Sequence, residues 1–139
     1  MTRLRNGLST IVFAILVGSV CTAMGQNESK DGGCNLASLN GDYLMTARAE
    51  NVDQGINVFV GVQTFDGKGN HSIRQTASRN GVIESWHIIV GKYSVEPDCT
   101  GTLTLGESRW NLVITRDGKE GAYIRIDDGT IATRSIKRR

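Results

Sequence analysis

Four short turn signals set what this chain can fold into: Asp66-Gly67-Lys68-Gly69-Asn70, Asn80-Gly81, Asp117-Gly118 and Asp128-Gly129. Asn-Gly and Asp-Gly pairs supply the positive φ angles that tight hairpins require. The runs between them are rich in β-branched and aromatic residues, and no long segment carries a helical repeat. The spacing predicts strands near 41–49, 57–66, 71–78, 82–90, 92–96, 100–106, 109–116, 120–127 and 130–136. Residues two apart in a strand share a face. Val58, Val60 and Val62 therefore lie together, with Phe59 and Phe65 opposite, and Trp110, Leu112 and Ile114 form a second apolar set.

Eight or nine short strands joined by consecutive hairpins make an all-β domain. The economical arrangement is a single antiparallel up-and-down β-barrel; the alternative, a β-sandwich, needs at least one long crossover. The longest early connection, Glu50 to Ile56, reads as a flap over an open end.

Upstream of the strands, Arg3 and Arg5 precede an apolar run from Leu8 to Val20 that reaches small residues at Ala23 and Gly25. This is the layout of a cleaved secretory signal, and the run is shorter than the roughly 20 residues a spanning helix needs. The expected organisation is a signal peptide over 1–25, an amino-terminal arm over 26–40, and a barrel over 41–139 with a short basic tail of Arg134, Lys137, Arg138 and Arg139. Cleavage removes Cys21 and leaves Cys34 and Cys99, which an oxidising compartment joins as a disulfide. The expected location is secreted or periplasmic. Without Arg3 and Arg5 the remaining chain is formally neutral, so there is no electrostatic footprint for nucleic acid.

Catalytic signatures are sparse. His71 and His87 have no metal-ligand spacing, the glycines at 67 and 69 make neither a calcium loop nor a phosphate loop, and no nucleophile sits beside a positioned base. The reading assigns no catalytic residue, no metal and no cofactor. The strongest polar feature is Glu84, which strict alternation places with Val82, Trp86, Ile88 and Val90; on an interior face it would be a desolvated acid. On an outer face it would meet water or pair with Arg74. His87 falls on the other side with Ile83, Ser85 and Ile89. Trp86, Trp110, Tyr43, Tyr93 and Tyr123 either fill the core or offer stacking faces. The candidate ligand set is Tyr43, Arg74, Glu84, Trp86, Trp110 and Tyr123.

The Asn40-Gly41-Asp42-Tyr43 opening resembles the Gly-x-Trp start of the lipocalin and avidin class of small secreted β-barrels, with Tyr43 in the tryptophan position. The later Gly-rich turns are similar to those of small exported bacterial β proteins of unassigned function. The resemblance implies an architecture and no active residues. The expected function is a non-catalytic binding module that holds a small apolar or aromatic ligand in the barrel. The alternatives are a structural or interaction domain at the cell envelope, and a small barrel isomerase or cyclase using Glu84 and a tyrosine. A cavity separates these readings, since an interior plugged by Phe59, Phe65, Trp86 and Trp110 leaves no room for a ligand.

Overall fold

The computed structural model describes residues 32–51, 53 and 55–139; the expected signal peptide with Cys21 lies outside them. A short 3₁₀ turn, Leu36–Ser38, precedes eight strands: β1 (Asn40–Asn51), β2 (Gly55–Asp66), β3 (Asn70–Arg79), β4 (Val82–Val95), β5 (Thr100–Leu105), β6 (Ser108–Ile114), β7 (Glu120–Arg125) and β8 (Thr130–Arg138). Each strand pairs antiparallel with the next, and β8 returns to β1, closing the up-and-down barrel expected from the turns. Asn80 and Gly81 carry consecutive positive φ angles of 46° and 88°, the requirement that selects Asn-Gly there.

Two expected strands, 82–90 and 92–96, are one. Gly91 is not a turn but a close approach: a side chain at this position would collide with the Thr104 carbonyl oxygen and the His71 ring. The expected flap is likewise a tight hairpin. β1 runs to Asn51 and pairs there with Gly55, and the Asn51 side chain accepts from the Asp53 amide at 2.9 Å.

One face of every strand fills the interior, and its side chains change in size along the axis. At one end Phe65 meets Tyr43 and Tyr93 edge-on, with centroids 5.3 and 5.0 Å away. Leu39 from the amino-terminal arm closes this end, fully buried. The arm is pinned by the Cys34–Cys99 disulfide, by the Cys34 amide donating to the Pro97 carbonyl, and by the Tyr93 hydroxyl, which reaches the carbonyls of Leu36 and Leu39. The middle holds Met45, Gln63, Ile73, Leu103, Leu112 and Tyr123, all buried. The Trp110, Leu112 and Ile114 set points inward as alternation requires, whereas Val58 and Val60 lie on the outer surface.

Strand β4 breaks its own alternation. Gln75 of β3 faces His87 and Ala77 faces Glu84, so three steps on β4 match two on β3. The extra residue is a β-bulge, and Trp86 adopts a left-handed φ of 56° there. Beyond the bulge the faces exchange: Glu84 shares the inward side with Ala77, His87 shares it with Gln75, and Trp86, Ile88 and Val90 point outward. The expected grouping of Glu84 with Trp86, Ile88 and Val90 fails because no sequence rule counts a bulged residue. Among the described residues, β5 pairs with β4 only over Tyr93–Val95, so Val82–Ile89 pairs with β3 alone.

A candidate ligand site at the open mouth

The end opposite the arm is open because its inward positions are small. Ala47, Ala49 and Ala132 stand where the closed end has aromatic rings, and they leave a cavity of about 190 Å³. Its walls include Phe59, Gln75, Ile89, Leu105, Trp110 and Arg134. An interior plugged throughout is therefore not what this sequence builds: Phe65 fills the closed end, Phe59 and Trp110 flank the space, and Trp86 is outside.

Arg134 dominates the cavity electrostatically. It is 7 % exposed, and its guanidinium carbon lies 4.9 Å from the Phe59 ring centre and 5.3 Å from that of Trp110. Both rings present their negative faces to the cation. Nη1 donates to Gln75 Oε1 at 2.9 Å and approaches Met45 Sδ at 3.4 Å, while Nε is buried without a partner. No carboxylate forms an ion pair with Arg134 among the described residues. Burial pulls its pKa below the ordinary arginine value. A guanidinium keeps its charge even so.

That one hydrogen bond fixes its neighbours. Because Gln75 Oε1 accepts from Arg134, its amide nitrogen is the donor to His87 Nε2, 2.9 Å away. His87 then carries its proton on Nδ1, which is buried without a hydrogen-bond partner and 3.9 Å from Glu84 Oε2. A second chain runs beneath the cavity: the Tyr123 hydroxyl donates to Gln63 Oε1 at 2.7 Å, the Gln63 amide to His71 Nδ1 at 3.2 Å, and His71 Nε2 to the Thr104 carbonyl at 2.8 Å. Burial lowers the pKa of His71 from 6.5, which favours the neutral ring this chain requires. Burial also keeps the Tyr123 phenol protonated far above its usual range. Asn57 Oδ1, at the mouth, is the third buried polar atom with no partner.

Two acids near the mouth are matched, whereas Glu50, Asp53, Glu107 and Asp128 at the turns of the same end have no ion pair among the described residues. Glu84 pairs with Arg79 at 3.2 Å, and Asp127 accepts from Arg109 and Arg125, each Nε 3.1 Å away. The Arg109 backbone amide, donating at 2.7 Å, together with these two guanidinium groups holds the Asp127 carboxyl pKa at about 2. Arg48, Arg79, Arg125 and Arg134 contribute to the cavity wall, and no carboxylate does.

The six residues expected at a site do not converge. Trp110 lines the cavity, and Tyr123 lies below it opposite Arg134 across the β7–β8 pair. Tyr43 sits at the closed end, where its hydroxyl donates to the Gly118 carbonyl at 2.6 Å and accepts from Arg138 at 2.7 Å. Arg74 and Trp86 stack on each other on the outer surface, 4.8 Å apart, with Trp86 56 % exposed. Glu84 stands half-exposed at the rim, ion-paired to Arg79 rather than Arg74, so its carboxylate is not in apolar surroundings. Arg134 and Arg138, expected on a solvated tail, belong to β8. Arg134 faces inward because it is two residues from Ala132 and from Ile136, which bound it on the buried face.

Sequence reasoning missed Asn57, Gln63, His71, Gln75 and Arg134, the buried polar set. The signal was present: each occupies the i+2 register of apolar inward neighbours, as in Phe59-x-Gly61-x-Gln63-x-Phe65 and Ile73-x-Gln75-x-Ala77.

No family model matches the chain, and neither does any curated protein. Among solved structures it is similar to a redesigned β-barrel at 16% identity, with a TM-score of 0.47, 75% of this chain and 94% of that one covered. It is also similar to a de novo designed fluorescence-activating β-barrel at 14% identity, with a TM-score of 0.44 and coverage of 73% and 94%.

Proposed function

We propose that this protein is an exported, non-catalytic binding module whose ligand occupies the open mouth of the barrel. The observation that carries this reading is a cavity of about 190 Å³ whose wall includes Arg134 and Asn57, each with a buried polar atom that has no partner. A buried polar atom left unpaired costs on the order of 1–3 kcal/mol. Such a set is retained where something else completes it. An apolar cavity of about 150 Å³ takes a molecule the size of benzene, so this one suits a ligand of similar bulk with a polar end. The Cys34–Cys99 bond and the charged, apolar layout of the leader support export, and the barrel with Tyr43 opening β1 is in keeping with a lipocalin-like architecture. The interaction reading would draw on the exposed strip of Ile83, Trp86, Ile88 and Val90 on β4. The mouth, with its assembled polar set, favours binding of a small molecule.

The two tryptophans provide the experiment, because Trp110 lines the cavity and Trp86 is outside it. In a titration of the folded protein with fragment-sized aromatic molecules followed by NMR, the Trp110 indole N–H resonance is expected to shift while that of Trp86 stays fixed. Ligands that move only Trp86, or none that move Trp110, would refute the reading.

A further inference from the structure

We infer that the mouth of the barrel is selective for a small monocarboxylate, whose carboxylate pairs with the Arg134 guanidinium in the cavity wall. This rests on the binding reading above and adds the charge of the ligand. Three observations lead to it.

First, Arg134 is a buried cation with no anion. A charge taken out of water is compensated by an ion pair or by a full set of hydrogen bonds. Arg134 has two ring faces, one good hydrogen bond through Nη1 and the Tyr123 hydroxyl beside it, while its Nε is sealed in without a partner. The guanidinium presents its donors in a planar fork that matches a carboxylate. Second, the neighbouring charges do not supply the missing anion. Glu84 is taken by Arg79 and Asp127 by Arg109 and Arg125, and neither reaches Arg134. An incoming anion meets guanidinium groups around the mouth and no carboxylate in its wall. Third, the space bounds the rest of the molecule. Phe59 and Trp110 flank the guanidinium and, with Ile89, Leu105 and Ala132, make the apolar part of a wall that also carries Asn57, Gln75 and Ser108, so a short body with an apolar or aromatic face fits beside the charge. Arg134 is the buried arginine of this wall and matches one carboxylate, and a phosphate carries a stronger hydration shell to strip before it could enter.

The Trp86→Phe protein, in which the remaining indole signal belongs to Trp110, is titrated with benzoate, hexanoate, their neutral amides benzamide and hexanamide, benzylamine and inorganic phosphate. Each carboxylate is expected to bind at least about tenfold tighter than its amide, with saturable shifts of the Trp110 indole N–H, because a hydrogen bond to a charged partner is stronger than one to a neutral partner. Arg134→Met is expected to abolish that preference while its folded spectrum persists. Amides that bind as well as the acids, or tighter binding by benzylamine or phosphate, would overturn the carboxylate assignment while leaving a binding cavity in place. Failure of every probe to move Trp110 would overturn the cavity reading itself. Comparison of acid with amide on one protein holds whether or not Arg134→Met folds.

Discussion

Replacing Cys34 and Cys99 together by serine is expected to lower the unfolding free energy by about 4 kcal/mol, read as a fall in the denaturant midpoint. The bond joins residues 65 apart in sequence, so its loss releases a long loop in the unfolded chain. The native state suffers as well. The arm that carries Cys34 places Leu39 over the closed end, and it is otherwise held mainly by the carbonyls that Tyr93 grips and by one amide bonded to Pro97. Because the cavity lies at the far end, the serine protein that remains folded should bind mouth ligands with unchanged affinity. A loss below about 1 kcal/mol would show that the arm is held by Leu39 and Tyr93 and needs no covalent link.

Gly91→Ala is expected to cost about 3 kcal/mol, in the upper range for overpacking a core position. The added carbon would overlap the Thr104 carbonyl oxygen and the His71 ring, two groups hydrogen-bonded to each other at 2.8 Å. Neither can retreat without breaking that bond, and His71 is linked through Gln63 to Tyr123, so the strain spreads across the barrel floor. Gly32→Ala serves as the control. Nothing lies within 4 Å of a side chain there, and its stability should change by less than about 0.5 kcal/mol. Equal urea midpoints for the two variants would mean that β4 and β5 do not depend on their close approach at Gly91.

The architecture was legible because hairpin chemistry is local. Asn80-Gly81 dictates its turn from two residues, and the inward run of Trp110, Leu112 and Ile114 follows from period-two alternation alone. What escaped depends on pairing between distant segments. The bulge at Trp86 exists only as a mismatch between β3 and β4, so the alternation read along β4 put Glu84 and His87 on opposite faces although both turn inward. Gly91 looked like punctuation because the reason for a glycine there, the Thr104 carbonyl, is thirteen residues away. The site was the least legible part. Aromatic residues drew attention, yet three of the six candidates lie on the outer surface or the rim, and the cavity is defined by alanines, which carry no chemical signal. Arg134 was hidden among other basic residues near the end of the chain. Its inward register between Ala132 and Ile136 was the usable clue.

The unfolding free energy of Arg134→Met, measured without added ligand, tests most directly whether this arginine is kept for binding. A buried cation serving an absent anion is a burden on the empty barrel, and replacing buried charge by an apolar side chain of similar length is neutral or stabilising by about 1–4 kcal/mol in other proteins. The expected result is a variant at least as stable as the parent that no longer responds to benzoate. A loss of 3 kcal/mol or more, on the order of the cost of breaking a needed buried ion pair, would show that Arg134 holds the fold together and would contradict its role as the ligand's partner.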